Sequence, residues 1–527
     1  MAAAHLPQVI DESAERNADA VAFRYADESI TYGELVRRSN QLANVLVASG
    51  LRPGELAGIY MDKSLDTAVA VFGIQKAGGA YVPLDVEAPP ARTGHLVREC
   101  RLRHIVSDGR NVDRLLDVVD GVDGIDAPVH VIGPETASVG SSTVIGWSEV
   151  ARAAETAPSA GPTADGPAYV IFTSGSTGVP KGIVHTHESG LAYARMSAEL
   201  YGLHAGDRLS NFPPLHFDQS TFDFFAGPLV GATTVIIGKE HQLVPASLSA
   251  LIERERLTIW YSVPFALIRL LQFGVLAERD LSALRWVIYG GEPFPLKYLA
   301  ELMELWPHAR FSNCYGPAET NQCTYHHVDP LTAQELDADT GVPIGRGCPG
   351  VELRVVDLDD DEVAPGEPGE LLISAPTTMQ GYWEAPDLTA EAFRYRPAST
   401  EAPDRRFYRS GDLVRRGADG LLEFVGRVDR QVKSRGFRVE LGEVEAVLFS
   451  HPDVTEVAVY PLVIDHVTMI QADLVLRAGG DVDHIRRHAA SRLPAYAVPA
   501  QLGVRDRLPR SPNGKVDYRA LAAGAAG

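Results

Sequence analysis

Between Ala168 and Gly182 the chain reads AYVIFTSGSTGVPKG. Its first five residues, Ala168 to Phe172, form an apolar run rich in β-branched and aromatic side chains, which predicts a buried strand. The loop that follows holds Thr173, Ser174, Gly175, Ser176, Thr177, Gly178, Pro180, Lys181 and Gly182. It offers hydroxyls and unobstructed backbone N–H groups beside one mobile cation, a chemistry suited to a polyphosphate. A Walker A loop is excluded, because Lys181 follows Pro180 in place of glycine and precedes Gly182 in place of serine or threonine.

On either side of this strand and loop the pattern repeats. The runs GELAGIYM (54–61), HIVSD (104–108), TTVIIG (233–238) and LRWVIYGG (284–291) read as strands bounded by turn residues. They alternate with helical segments such as LSALIERER (248–256) and LKYLAELMELW (296–306), so the fold class is α/β with mostly parallel sheets flanked by helices. Thr31 and Glu34 form a capping box for a helix with Leu35, Leu42, Val45 and Leu46 on one face and Gly50 at its end. The stretch from Asp117 to Pro167, rich in Gly, Ala, Ser, Pro and Asp, reads as a surface excursion without chemistry. After Gly426 the character changes to a basic segment, a helix, two strands and a helix near Val482 to Arg492. Two domains are expected: a core over 1–428 and a small α+β domain over 429–527.

A length of 527 residues exceeds what one hydrophobic core usually serves, and 45% hydrophobic residues is ordinary for a globular chain. A net charge of −21 argues against nucleic acid or an anionic membrane as partner. No apolar stretch reaches the roughly 18 residues of a membrane span, and no signal peptide opens the chain, so a cytoplasmic location is expected. The four cysteines, Cys100, Cys314, Cys323 and Cys348, are spaced for neither a CxxC pair nor a zinc site. Neither disulfides nor a structural metal are expected.

With further motifs added, the chain resembles the adenylate-forming superfamily of acyl-CoA synthetases, luciferases and nonribosomal peptide synthetase adenylation domains. The motifs are ITYGEL (Ile30 to Leu35), KAGGAYVPLD (Lys76 to Asp85), HFDQS (His216 to Ser220), NCYGPAET (Asn313 to Thr320) and GELLIS (Gly369 to Ser374). They continue with YRSGD (Tyr408 to Asp412), GRVDRQVKSRGFRVELGEVE (Gly426 to Glu445), LPAYAVP (Leu493 to Pro499) and NGKVD (Asn513 to Asp517). The order along nearly the whole chain is that of the family.

The resemblance implies attack of a carboxylate on the α-phosphorus of ATP, a reaction that brings an anion to a polyanion. Lys515 is implied as the catalytic cation. Thr177 and Glu319 are implied to hold Mg2+, a hard ion that prefers oxygen ligands. Besides the loop, the nucleotide would be held by Asn313, Tyr315, Gly316, Glu319, Thr320, Asp412 and Arg427, with Tyr315 against the adenine and Asp412 on the ribose hydroxyls. Ser410 and Ala318 stand where threonine is commoner in the family. Asp429 resembles the hinge about which the small domain turns, and Gly436 the residue that lines the thiol channel.

In HFDQSTFDFF, Phe217 and Asp218 resemble the pocket entrance of amino-acid-activating members, where the aspartate pairs with the substrate ammonium. An unpaired carboxylate there would burden a fatty or aryl acid site. By the same matching the pocket is lined by Asp218, Gln219, Phe222, Tyr261, Ile288, Gly290, Cys314, Gln322 and Cys323. With no second charge it suits a neutral amino acid of small or medium size. The text around it is similar to free-standing enzymes that load starter amino acids onto separate phosphopantetheinylated carrier proteins in natural-product pathways, including loaders of proline and of the β-amino acids of macrolactams. Gln219 and Gln322, in place of apolar residues of the proline pattern, favour a β-amino acid. Proline or another α-amino acid, an acyl-CoA ligase and a non-catalytic ligand-binding member are the alternatives. The closing residues, ALAAGAAG, offer no serine for a phosphopantetheine arm, so the acceptor is expected to be a separate molecule. His185, His187, His326 and His327 lack zinc-site spacing and are expected to be structural or exposed, while His216 adjoins Phe217 at the entrance.

Overall fold

The computed structural model describes residues 3–121, 129–133, 135, 142–159, 161–175, 180–331, 341–397, 404–464, 467–510 and 516–525. They gather into two compact units. The first comprises Met1–Leu84, Cys100–Ile171 and Gly182–Val428, and the second Asp85–Glu99, Phe172–Lys181 and Asp429–Gly527.

The first unit is built on three sheets. Among the described residues, one has nine strands in the order Arg346–Gly347, Thr324–Val328, Arg310–Tyr315, Trp286–Gly290, Ile259–Ser262, Arg208–Asn211, Thr233–Ile236, Val21–Tyr25 and Glu28–Thr31. Its six inner strands are parallel and its edges antiparallel. Leu56–Tyr60 of the second sheet and Trp286–Gly290 of the first are buried at every residue, as strands covered on both faces must be. The second sheet runs Gly381–Tyr382, Lys181–Thr186, Pro167–Thr173, Ala80–Pro83, Leu56–Tyr60, His104–Ser107, His130–Gly133 and Thr143–Gly146. The third is antiparallel and contains Glu352–Val356, Pro368–Ser374, Phe393–Pro397, Asp404–Arg416 and Leu422–Arg427.

The helix expected after Thr31 spans Tyr32–Ala48, and the Thr31 hydroxyl accepts from the Glu34 N–H at 3.2 Å. Leu35, Leu42 and Leu46 are fully buried, Val45 is half-buried, and Gly50 takes a left-handed φ of 103° just past the end. The stretch from Asp117 to Pro167 is more than a surface excursion. HVIG (130–133) and TVIG (143–146) pair in parallel at the edge of the second sheet. Each is a four-residue apolar run between glycines and polar residues, too short to stand out from its loop-like surroundings.

The second unit contains the hairpin Gln431–Ser434 and Phe437–Glu440, the helix Leu441–Phe449, strands Val454–Ile464, Val467–Leu476 and Gln501–Val504, and the helix Val482–Ala490. Val444, Leu448, Val459, Leu474, Ile485 and Ala489 form its core. The helix Pro90–Glu99 belongs to this unit and is tied to it by an ion pair, Arg92 to Glu443 at 2.8 Å, with both side chains largely buried.

Candidate active site

In a parallel sheet, ligands gather outside the carboxyl ends of the strands. Here the register aligns Tyr261 with Ile288, and Gly290 with Cys314, across three adjacent strands. Tyr261, Ile288 and Cys314 are buried, and the Cys314 thiol donates to the Tyr261 hydroxyl at 3.3 Å. A Cβ at Gly290 would collide with the Cys314 carbonyl oxygen, so only glycine lets these two strands meet there.

Phe217, Asp218 and Gln219 lie half-buried on the turn ahead of Phe222. The backbone carbonyl of Asp218 accepts from the N–H of Thr221 at 3.0 Å and from its hydroxyl at 2.6 Å, which fixes the turn. Burial first, and among the lesser influences the charge of Asp218, raise the hydroxyl pKa values of Tyr169, Tyr193 and Tyr261, so these phenols stay protonated. Upstream, the Lys63 ammonium donates to the carbonyls of Asn211, Phe212 and Pro213 at 2.6, 3.0 and 2.9 Å, and so anchors the segment leading to Phe217.

Phe222 opens a π-helical turn, Phe222–Ala226, that is wholly buried, and its ring meets Tyr261 edge-on at 5.3 Å. Such turns often mark functional sites. Within it Asp223 is buried, accepts from the Asn211 amide at 3.3 Å, and has its pKa pushed well up by burial.

Two of the residues expected to line the pocket have settled partners elsewhere. The Gln322 amide donates to the Tyr201 hydroxyl at 3.0 Å and to Cys348 Sγ at 3.8 Å. Cys323 belongs to a separate apolar cluster with Ile344, Val355, Leu371, Ile373 and Val414, against which Tyr315 packs.

Of the residues expected around the nucleotide, Tyr315, Asp412 and Arg427 come together. Asp412 accepts from the Tyr315 hydroxyl on one oxygen and from the Arg427 guanidinium on the other. Burial, then the Asp412 charge, holds the Tyr315 phenol protonated. Ser410 retains the role of a threonine hydroxyl: it accepts from Asp412 N–H at 3.0 Å and donates to the Leu371 carbonyl at 2.7 Å. The Asn313 amide donates to the Pro343 carbonyl at 2.9 Å, and the Thr320 carbonyl accepts from the Thr377 hydroxyl at 2.6 Å. Gly316 is packed so tightly that a Cβ would overlap the Asn321 carbonyl.

Glu319 is fully buried, and its carboxylate accepts from the Tyr382 hydroxyl at 3.0 Å. A carboxylate oxygen held in this way fits one ligand position of a hard cation. Its expected companion Thr177, together with Ser176 and Gly178, lies outside the described residues, as does Lys515.

In the second unit, Thr173 ends the strand Pro167–Thr173 and its hydroxyl oxygen is buried with no hydrogen-bond partner among the described residues. The Ser174 hydroxyl donates to the Arg438 carbonyl at 3.2 Å and accepts from Glu440 N–H at 3.3 Å. Gly175 is buried, and Lys181 opens the strand Lys181–Thr186. Asp429 is exposed and accepts from Gln431 N–H at 3.1 Å. Arg435 and Gly436, with φ of 53° and 85°, are the two central residues of the hairpin turn, a type I′ geometry that by itself favours glycine.

Sequence reading did not single out Lys63, Tyr169, Tyr193, Asp223 or Tyr382, since each acts only through tertiary neighbours. His185 is structural, as expected. It is buried, stacks on Tyr169 at 5.0 Å, and its Nε2 bonds the Ala318 carbonyl at 2.9 Å, next to Glu319. Burial pushes His185 down to about 4, and burial with His5 pushes His187 down to about 3. Unfolded histidine titrates near 6.5, so between these values the unfolded chain binds more protons. Stability therefore falls as pH drops from about 6.5 toward 3, by up to about 3 kcal/mol for His185 and about 5 kcal/mol for His187. The urea midpoint is expected to drop between pH 7.5 and 4.5, and less steeply in His185→Gln; an equal drop in both would refute this role.

Two family models match the chain: AMP-binding enzyme over residues 10–383 and AMP-binding enzyme C-terminal domain over residues 443–515. The chain belongs to the AMP-binding enzyme family and is an adenylate-forming ligase. It is 32% identical over 499 residues to an L-proline–(L-prolyl-carrier protein) ligase of Pseudomonas fluorescens, covering 94% of each chain. It is 36% identical over 521 residues to a protein of the linear gramicidin synthase of Brevibacillus parabrevis, covering 98% of this chain but 6% of that much longer protein. The fold matches the Vibrio cholerae adenylation domain AlmE, solved with glycyl-adenosine-5'-phosphate, at a TM-score of 0.84 and 24% identity over 100% of this chain and 98% of the other.

Proposed function

We propose that the chain joins the carboxylate of an amino acid to the α-phosphate of ATP. Pyrophosphate leaves as the new P–O bond forms. The acyl group then passes to the phosphopantetheine thiol of a separate carrier protein, whose sulfur forms the thioester as AMP departs. The core, 1–428, would bind both substrates, while 429–527 would bring Lys515 and turn about Asp429 to present Gly436 to the thiol. Mg2+, held by Glu319 and Thr177, would offset phosphate charge.

The observation that carries this reading is Asp218: a half-buried carboxylate, on a turn fixed through its own backbone carbonyl, with which a substrate ammonium would pair. Tyr315, Asp412 and Arg427 support nucleotide binding in the same unit. The described lining is otherwise neutral, which suits an amino acid of small or medium size, and the half-exposed amide of Gln219 favours a β-amino acid. A second reading, proline, is favoured by the ligase of Pseudomonas fluorescens, which matches end to end.

Exchange of labelled pyrophosphate into ATP, run across β-amino acids, proline and other neutral α-amino acids, tests both. Strong exchange with one β-amino acid is the expected result. Exchange with proline alone would establish the second reading, and activity with only a fatty or aryl acid would overturn the amino-acid assignment.

A further inference from the structure

A cluster of imidazoles lies in the second unit, among residues given no part in nucleotide or acyl binding. His451 and Asp453 occupy the turn between the helix Leu441–Phe449 and the strand Val454–Ile464. His484 and His488 stand four residues apart on the helix Val482–Ala490, and so share one face. One ligand atom from each of His451, Asp453 and His484 lies within 4.8 Å of the other two. The His451 ring stands edge-on to the rings of His484 and His488, with centroids 4.8 and 5.0 Å away.

His451 is 2% exposed, and its Nδ1 is the ring's acceptor: it takes the Asp453 N–H at 3.2 Å and lies 3.9 Å from an Asp453 carboxylate oxygen. The lone pair a cation would meet is therefore on Nδ1, and a bound ion would take it over from that N–H.

We propose that His451, Asp453 and His484 bind a divalent transition-metal ion of the zinc kind, with water completing its shell. Imidazoles with one carboxylate suit zinc, and exclude magnesium, which prefers oxygen ligands. Around zinc, tetrahedral ligand atoms stand about 3.4 Å apart, given bonds of about 2.1 Å. The exposed side chain of His484 closes the remaining gap by rotating about its own bonds. The spacing of these residues in sequence hides the site, because His451 and His484 come from segments joined only by the fold. Metal binding would clamp the end of one core helix to another, since Leu448 and Ile485 already pack in one cluster.

The test is a calorimetric titration of the full chain, first treated with chelator, with Zn2+ alone and with Mg2+ alone. One equivalent of zinc is expected to bind with a dissociation constant on the order of a micromolar or tighter, and magnesium to give no comparable heat. His484→Ala, an exposed change, should weaken zinc about a hundredfold while leaving the chelator-treated melting temperature and pyrophosphate exchange as in the parent. Asp453→Ala should weaken it as well. Failure of the parent to bind one zinc equivalent, or equal zinc affinity in parent and His484→Ala, would overturn the proposal. Because His484 is exposed, the decision does not hang on the folding of a His451 variant.

Discussion

Replacing Lys515 by alanine is expected to lower amino-acid-dependent pyrophosphate exchange by about a hundredfold to a thousandfold. The reason is charge. The substrate carboxylate must approach a triphosphate, and negative charge grows at the α-phosphate as the bond to pyrophosphate lengthens. A cation that meets this charge only at the transition state acts on kcat more than on KM. Lys515 lies outside the described residues, and its assignment rests on the NGKVD motif. The second half-reaction needs no such cation, because the phosphate already departs as AMP. Thioester formation from preformed aminoacyl-AMP and a carrier protein should therefore fall far less than exchange. Equal loss in both reactions would place Lys515 in general folding or in nucleotide affinity, and no loss would remove it from catalysis.

Asp218→Asn is expected to raise the KM for the amino acid by about tenfold to a hundredfold, with little change in the KM for ATP. A hydrogen bond to a charged group contributes about 1.5–3 kcal/mol, and the half-buried position places Asp218 within that range and not at the larger values of a fully buried pair. Asparagine keeps the shape, and the bonds that fix the turn run to the backbone carbonyl of residue 218, so the local structure survives. Steady-state exchange at varied amino acid and varied ATP separates the two constants. A rise in the ATP constant alone would move Asp218 out of the acyl pocket.

The parallel strands were legible because runs such as LRWVIYGG are buried on both faces and carry no alternation to misread. The strands HVIG and TVIG were not, since four residues between glycines and polar neighbours resemble a loop until a sheet edge claims them. Motif order brought Tyr315, Asp412 and Arg427 into view, and the structure sets them in mutual contact. Position alone could not tell that Gln322 spends its amide on Tyr201 and Cys348, or that Cys323 packs beneath Tyr315 in another cluster. Nor could it find Lys63, Asp223 or the imidazoles at 451, 484 and 488, whose meaning lies in who their neighbours are.

Interchangeability between relatives turns in part on two ties, among the described residues, between the later part of the second unit and its earlier segments. The hydroxyl of Ser174 grips main-chain atoms of Arg438 and Glu440, and a main chain is much the same in any homologue. Arg92 instead grips a side chain, Glu443, and both are largely buried. A hybrid that receives residues 429–527 from another enzyme keeps the first tie whatever its sequence. It keeps the second only if the donor also carries an acid at that position; otherwise Arg92 is left as a stranded charge, a defect of about 3–5 kcal/mol. Shuffling the tail of this enzyme therefore calls for a matched change at Arg92, more than three hundred residues upstream.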